Sequence, residues 1–296
     1  MSRLSPTAQG IVMMLTAIFL FSTMDAQAKA LSARYDVLQV LWARYAGMMA
    51  VVLVVLAPRV GPLLRTRHLG LQLLRSGFLF AATLCFFTAL GYIPIGAATA
   101  VMNVHPVIVT LGAALFLREA LGPRRIFGIA AALTGALIVI RPGAEVFTAA
   151  ALLPLGAGIC YACYALTTRF LGRDEPILTS FLYTAVVGSV AATLVVPAVW
   201  TMPGPADAAL FLTLGATGAA GQFLLIRALT VAEAGAVAPF GYAGVLFATL
   251  NGYLFFDEAP DRWTILGALV IVGAGVYVWH RETQARAVAG TPRPAP

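Results

Sequence analysis

The sequence predicts an all-α integral membrane protein with ten transmembrane helices, arranged as two inverted five-helix repeats. Three observations support this fold class: the composition, ten apolar segments of membrane-spanning length, and a match between the two halves at an offset of 139 residues. Of the 296 residues, 60% are apolar and only 10% are charged. A soluble domain has about 25% charged residues, so this composition is typical of a membrane protein.

The charge and the cysteines exclude other classes of protein. A net charge of +7 raises nucleic-acid binding as an alternative, but the arginines lie singly between apolar runs instead of forming one basic patch. Cys160 and Cys163 form a C-x-x-C pair, yet they and Cys85 lie in apolar runs without the polar surroundings of a redox site. We therefore expect no nucleic-acid partner, no metal and no cofactor.

Ten segments have the length and composition of transmembrane helices. A helix needs about 20 mostly apolar residues to cross the hydrocarbon core of a bilayer. Charged residues, prolines and glycine-containing turns divide the chain into such segments, of which the fifth is the shortest. In order, they are Gln9 to Ala30, Val37 to Ala57, Leu71 to Tyr92, Ile95 to Leu117, Arg125 to Arg141, Thr148 to Thr168, Ile177 to Trp200, Asp207 to Val231, Gly235 to Phe256 and Trp263 to His280.

The positive charges predict the orientation, because cytoplasmic connections are enriched in Lys and Arg. The N-terminus, the even-numbered connections and the tail hold fourteen of these residues, with Arg75 counted among them. The odd-numbered connections hold four, and Arg44 lies inside the second segment. This asymmetry predicts a multi-pass protein of the cell (inner) membrane with both termini in the cytoplasm.

The second half of the chain repeats part of the first. Residues 89–140 align with residues 228–279 without a gap, and thirteen of the fifty-two positions are identical. Glu119 falls on Glu258, at the turn between two apolar segments in each half. We assign both glutamates to turn and capping roles at helix ends.

A five-helix unit has an odd number of helices, so its second copy enters the membrane from the opposite face. Inverted repeats of this kind recur in secondary transporters. The predicted units are residues 1–143 for the first repeat and 144–281 for the second, followed by a disordered cytoplasmic tail over 282–296.

Several motifs resemble a known family. They are Lys29 closing the first segment, Arg44 early in the second, FLREALGPRRIFGIAAALTGALIVIRPG in the first half and FFDEAPDRWTILGALVIVGAGVYVW in the second. Together they resemble the drug/metabolite transporter superfamily, in particular its ten-helix carriers with two EamA-type repeats, and most of all bacterial exporters of amino acids, including aromatic ones. The resemblance implies a metabolite carrier, commonly an exporter, with a central cavity between the repeats.

Polar groups inside a membrane segment are costly, so those of the fourth segment are candidates for the cavity. Asn103 and His105 lie roughly 10 to 17 Å from the segment start at 1.5 Å per residue, close to the membrane midplane. Pro106 cannot donate the backbone hydrogen bond to Met102, and we expect the freed carbonyl to be available to a ligand or water. The alternative is a kinked helix whose Asn and His bond to neighbouring helices.

Aromatic residues of the second half are further candidates. Phe240 and Tyr242 occupy the corresponding stretch of the ninth segment, and Tyr161 and Tyr164 lie on the sixth. Their rings could stack on a flat group or surround a methylated cation. At helical spacing they could equally be core or lipid-facing residues.

Asp25 and Arg44 are charged residues inside the first two segments, near the same end. We expect them to pair across the helices, as a gate or as a clamp for a zwitterion. A purely structural ion pair is the alternative.

The predicted function is export of a small amphipathic metabolite, an amino acid in the first instance, by alternating access. With Asp25 the only carboxylate clearly inside a segment, facilitated diffusion is expected, and we expect a monomer. The alternative is a proton-coupled exporter of drugs or organic cations. A channel is disfavoured by the lack of a ring of polar residues. No H-E-x-x-H, G-x-S-x-G or Walker motif supports an enzyme.

Overall fold

The fold is helical throughout the part of the chain that a computed structural model describes, residues 5–56, 60–117, 123–141, 149–171, 175–232 and 238–289, and these residues form no strand. Twelve α-helices are described: α1 (Pro6–Ser32), α2 (Val37–Leu56), α3 (Val60–Leu63), α4 (Leu69–Leu90), α5 (Ile95–Met102), α6 (His105–Leu117), α7 (Pro123–Ile140), α8 (Leu153–Leu171), α9 (Ile177–Val195), α10 (Pro205–Val231), α11 (Ala243–Phe256) and α12 (Arg262–Ala289). Short 3-10 turns precede α8 and α11 and follow α9.

Membrane-spanning length is met by six of the described helical segments: Ala8–Ser32, Val37–Val54, Leu69–Leu90, Ala149–Thr168, Leu178–Ala198 and Pro205–Ala228. Four shorter apolar segments accompany them: Ile95–Val109, Ile126–Ile140, Phe240–Phe256 and Arg262–Tyr277. All ten fall within or overlap the segments predicted from the sequence. The outward surface is apolar, with Val54, Leu194 and Leu212 each more than three-quarters exposed, as expected for side chains that face lipid.

Helix packing brings the two halves of the chain together. α1 lies along α10, and α4 lies along α8. The Gln27 side-chain amide bonds with two hydroxyls of α10, donating to Thr213 Oγ1 (3.3 Å) and accepting from Thr217 Oγ1 (3.0 Å). The largest buried apolar cluster combines residues of α1, α2, α4, α5, α8, α10 and α11, and three of its buried members, Met24, Phe86 and Ala248, line the cavity described below.

The fourth predicted segment is not one continuous helix. α5 ends at Met102 and α6 begins at His105, with a short turn at Asn103 and Val104 between them. Pro106 explains the break, because its ring excludes the carbonyl of the fourth residue before it. The 3-10 turn Ala238–Tyr242 ends where α11 begins, so the irregularities at Asn103 and Tyr242 lie 139 residues apart.

The C-terminal helix is longer than predicted. α12 continues to Ala289, so residues 282–289 are helical although the sequence predicts a disordered tail there. Six of these eight residues are Glu, Gln, Arg or Ala, which are strong helix formers, and Gly290 follows them. The remaining predicted tail, 290–296, lies outside the described residues.

Glycines permit two close helix crossings. A methyl group on Gly47 of α2 would lie 2.6 Å from the carbonyl carbon of Gly215 on α10. On α7, a methyl group on Gly135 would lie 2.9 Å from the carbonyl oxygen of Gly267 on α12. Small residues drive helix association in membranes because they let backbones approach closely.

We predict that Gly47→Ala destabilises the protein, because the added methyl group meets the Gly215 backbone, which cannot move aside without separating the helices. Overpacking of this kind costs about 1–3 kcal/mol. The matched control is Gly77→Ala on α4, where an added methyl group has nothing within 4 Å. Thermal unfolding in detergent should give a lower Tm for Gly47→Ala alone; equal Tm values would contradict the close crossing.

Candidate functional site

A central cavity of about 320 Å³ lies between the helices of the two halves. Its size is within the usual range for small-molecule sites. It is lined from α1, α2, α4, α5, α6, α8, α10 and α11, at the level where α5 and α6 meet. Seven of the eight predicted site residues line it: Asp25, Arg44, Asn103, His105, Tyr161, Tyr164 and Tyr242.

Phe240, the eighth predicted residue, is not among the described residues that line the cavity. It packs instead against an apolar cluster around Met14 and Ala228. The 3-10 turn places Phe240 and Tyr242 on different sides, and only Tyr242 is directed to the cavity. Phe21 and Phe86 are aromatic lining residues that the sequence analysis does not select, since each is one of many Phe residues in apolar segments.

The Met102 carbonyl is not left for a ligand, contrary to the sequence-based expectation. His105 Nδ1 lies 3.1 Å from this oxygen, so Nδ1 carries a proton and donates it to the carbonyl. The side chain thereby replaces the backbone donor that Pro106 lacks. The Asn103 side chain adds a second donor to a carbonyl that is already bonded: its Nδ2 donates to the Thr99 carbonyl at 2.8 Å, and this oxygen also accepts the Asn103 backbone N–H at 3.0 Å.

Aromatic rings form one wall of the cavity. The His105 ring meets the Tyr161 ring edge-on, with centroids 4.7 Å apart and planes at 74°. Tyr161 and Tyr164 follow on the same face of α8, with centroids 5.4 Å apart. This wall offers ring faces and edges to a flat ligand, with hydroxyl and imidazole groups at its margin.

Asp25 and Arg44 place opposite charges in the cavity without forming the predicted ion pair. Both side chains line the cavity, but no salt bridge within 4.0 Å joins them among the described residues. The Arg44 guanidinium lies over the rings of Tyr45 and Phe87, at 5.7 and 5.8 Å, and its buried Nε has no hydrogen-bond partner. Cation–π contacts thus hold Arg44 away from the carboxylate, and both charges face the cavity.

Arg75 is buried inside α4 with only 4% of its surface exposed, so its assignment to a connection was wrong. Its guanidinium donates to Tyr164 Oη (2.8 Å), Thr168 Oγ1 (2.6 Å) and Thr184 Oγ1 (2.7 Å). A fourth bond, of 2.9 Å, goes to the Ser180 carbonyl oxygen. Arg75 therefore joins α4 to α8 and α9 directly behind the cavity wall.

A network around Lys29 joins helices at one end of the bundle. The Lys29 Nζ pairs with Glu258 Oε1 at 2.8 Å and donates to the carbonyls of Leu90 (2.8 Å) and Ile93 (2.9 Å). Glu258 Oε2 accepts the Ile95 N–H at 3.0 Å, at the start of α5. Glu258 thus caps a helix of the other half of the chain, while its counterpart Glu119 lies outside the described residues.

The sequence matches the EamA-like transporter family twice, over residues 8–141 and 148–279. These two matches cover most of the chain. The chain belongs to the EamA-like transporter family. It is therefore a multi-pass membrane transporter, and the cavity between its helices is the candidate binding site for the transported molecule.

Three curated relatives match this EamA-like transporter over most of its length. The riboflavin transporter of Vibrio cholerae is 30% identical over 93% of this chain and 94% of its own. The S-adenosylmethionine uptake transporter of Rickettsia bellii is 26% identical, over 93% and 95%. The pseudopaline exporter of Pseudomonas aeruginosa is 29% identical, over 90% and 94%. None of these relatives is named as an amino acid exporter.

A solved crystal structure has the same fold. It superposes with a TM-score of 0.62 at 20% sequence identity, over 94% of this chain and 99% of that one.

We predict that Lys29→Met lowers the free energy of unfolding by about 3 kcal/mol, because it leaves a largely buried carboxylate and two carbonyls without their partner. Arg34→Gln is the control at the same end: Arg34 pairs with Asp207 at 2.7 Å, but its side chain is 55% exposed, so the loss should stay below about 1 kcal/mol. Denaturant unfolding in detergent measures both. Equal losses would show that the Lys29 network does not hold this end together.

Proposed function

We propose that this EamA-like transporter moves a flat heteroaromatic metabolite with polar edges, with riboflavin as the first candidate. The observation that carries the proposal is the cavity wall of His105, Tyr161 and Tyr164, whose rings offer stacking surfaces beside hydrogen-bonding groups. The similarity to a riboflavin transporter over nearly the whole chain supports it. Stacking is worth about 0.5–1.5 kcal/mol per ring pair, so such a wall can favour a flat ligand.

An aromatic amino acid is the second candidate. Asp25 and Arg44 present opposite charges to one cavity without neutralising each other through a direct ion pair. These two side chains fit the ammonium and carboxylate groups of a zwitterion. Export is the direction that the family resemblance implies for such a substrate.

Transport is proposed to proceed by alternating access of two inverted repeats. The irregular backbone at Asn103 and at Tyr242 lies at the offset of the sequence repeat, and both residues line the cavity. Interrupted segments in corresponding positions of two halves are typical of transporter binding sites. Such a pair of units supplies two arrangements of similar energy, one open to each side.

We propose that transport is facilitated diffusion. The protein would lie in a bacterial inner membrane with both termini on the cytoplasmic side. Asp25 is the one carboxylate among the described residues that line the cavity. A proton relay built from several carboxylates is therefore not supported there. The excess of Lys and Arg in the even-numbered connections supports the orientation.

The test is flux of labelled riboflavin and labelled aromatic amino acids in proteoliposomes of the purified protein, with and without an imposed proton gradient. We expect saturable riboflavin flux that does not depend on the gradient. Flux of the amino acids alone would favour the second candidate, and strict dependence on the gradient would contradict facilitated diffusion.

Tyr161→Leu should raise the KM for the transported substrate about tenfold, since one stacking partner is lost. The matched control is Tyr253→Leu, a tyrosine on α11 that is 59% exposed on the outer surface of the bundle. Its KM should stay at the wild-type value. An unchanged KM in Tyr161→Leu would contradict the aromatic wall as the binding surface.

A further inference from the structure

We infer that Arg75 is a specificity-determining residue: its buried positive charge, placed behind the cavity wall, makes the cavity select neutral and anionic substrates over cationic ones. This inference deepens the proposed function and rests on the cavity being the substrate site. Its physical basis is a charge that no described carboxylate pairs with and that one side chain separates from the cavity.

Within the described part of the chain, Arg75 makes hydrogen bonds only to neutral groups. Its partners are three hydroxyls and one backbone carbonyl, which satisfy the donors but do not neutralise the charge. No carboxylate lies within 4.0 Å of the guanidinium in the part of the chain that the structure describes. A buried charge is normally paired, because desolvation penalises the ionised form heavily.

Tyr164 connects Arg75 to the cavity. The guanidinium donates to the Tyr164 hydroxyl at 2.8 Å, and its central carbon lies 4.4 Å from the centre of the same ring. Tyr164 itself lines the cavity. The charge is therefore one ring behind the surface that a substrate would touch, with protein and not water between them.

A role in helix packing alone does not require this charge. The nearby Gln72 is completely buried, and its Nε2 donates to Ser180 Oγ at 3.2 Å, so a neutral amide already links α4 to α9. Charged side chains inside a membrane segment carry a large cost and mark functional sites. The charge of Arg75, rather than its hydrogen bonds, is the feature that needs a function.

The charges around the cavity do not balance. Asp25 is the one carboxylate among the described lining residues, and it can contribute at most one negative charge, which would offset the charge of Arg44. His105, whose Nδ1 donates to the Met102 carbonyl, contributes no negative charge, because a histidine side chain is either neutral or cationic. Arg75 therefore leaves an excess of one positive charge, and a cavity with low-dielectric walls concentrates such a field.

The chemical class that follows is a ligand with no net charge or with an added carboxylate or phosphate. A sulfonium or quaternary ammonium group would be repelled. The charge lies one aromatic ring behind the cavity surface. At such a separation and an effective dielectric constant near 20, a unit charge changes the relative affinity of two ligands that differ by one charge about tenfold.

Cysteine labelling tests the field without any substrate. In full-length protein with Cys85, Cys160 and Cys163 replaced by Ala, Asn103→Cys places a thiol in the cavity. The rates of a negatively and a positively charged methanethiosulfonate reagent are compared there and at Met202→Cys, which is 81% exposed outside the cavity. We expect the anionic reagent to be favoured about tenfold more in the cavity.

Two substitutions separate charge from packing. Arg75→Gln should abolish the preference for the anionic reagent, whereas Arg75→Lys should retain it. An unchanged preference in folded Arg75→Gln would overturn the inference. If Arg75→Gln does not fold, protein that keeps Arg75 still provides the test. An equal ratio of the two reagent rates at Asn103→Cys and at Met202→Cys would overturn the inference as well.

A ligand pair provides the second measurement. S-adenosylhomocysteine and S-adenosylmethionine share every ring and differ by the sulfonium charge, so calorimetry should find the uncharged thioether bound about tenfold more tightly. Tighter binding of the sulfonium would overturn the inference. Binding of neither compound, with the labelling preference intact, would count against the proposed ligand class and would leave the charge selectivity supported.

Discussion

Backbone hydrogen bonding is the constraint on which the centre of this protein depends. Within a bilayer, a helix can be interrupted only where the protein itself satisfies the backbone groups that the break releases. At the junction of α5 and α6, Pro106 leaves the Met102 carbonyl without a backbone donor, and His105 Nδ1 donates to this oxygen instead. The His105 side chain that replaces the lost donor also lines the cavity, so the break and the site share a residue.

Because the dielectric constant inside the bundle is low, each charge there acts over a longer distance than it would in water. Arg44 is held over two aromatic rings and not against Asp25, which leaves both charges available to a ligand. Arg75 is held by hydroxyls, which satisfy its donors and leave its charge uncompensated. Both arginines are positioned by neutral groups, so the protein fixes their geometry without cancelling their field.

Sequence patterns predict what depends on neighbouring residues along the chain. Hydropathy places all ten apolar segments, and the polar residues Asn103 and His105 identify the level of the cavity. The pairing of Lys29 with Glu258 could not be predicted, because 229 positions separate these residues and only the packed fold brings them together.

Arg75 shows the limit of charge counting. A positive residue six positions into a helix can extend to the interface or turn inward, and composition does not distinguish the two. The acceptors that draw it inward, Thr168 and Thr184, belong to helices of the other half of the chain. Phe240 is missing from the described cavity lining for a related reason: a 3-10 turn changes which side chains of a short stretch share a face.

Alternating access sets a requirement on the end of the bundle that holds Lys29 and Glu258. In the proposed mechanism, the network that joins Lys29 to Glu258 and to the carbonyls of Leu90 and Ile93 has to open when the cavity turns to that side. Breaking a largely buried ion pair is costly, so contacts made only in the other state, within the protein and to bound substrate, have to offset the cost. A cavity with one unbalanced charge is suited to this, because a ligand of the right sign gains most where water is excluded.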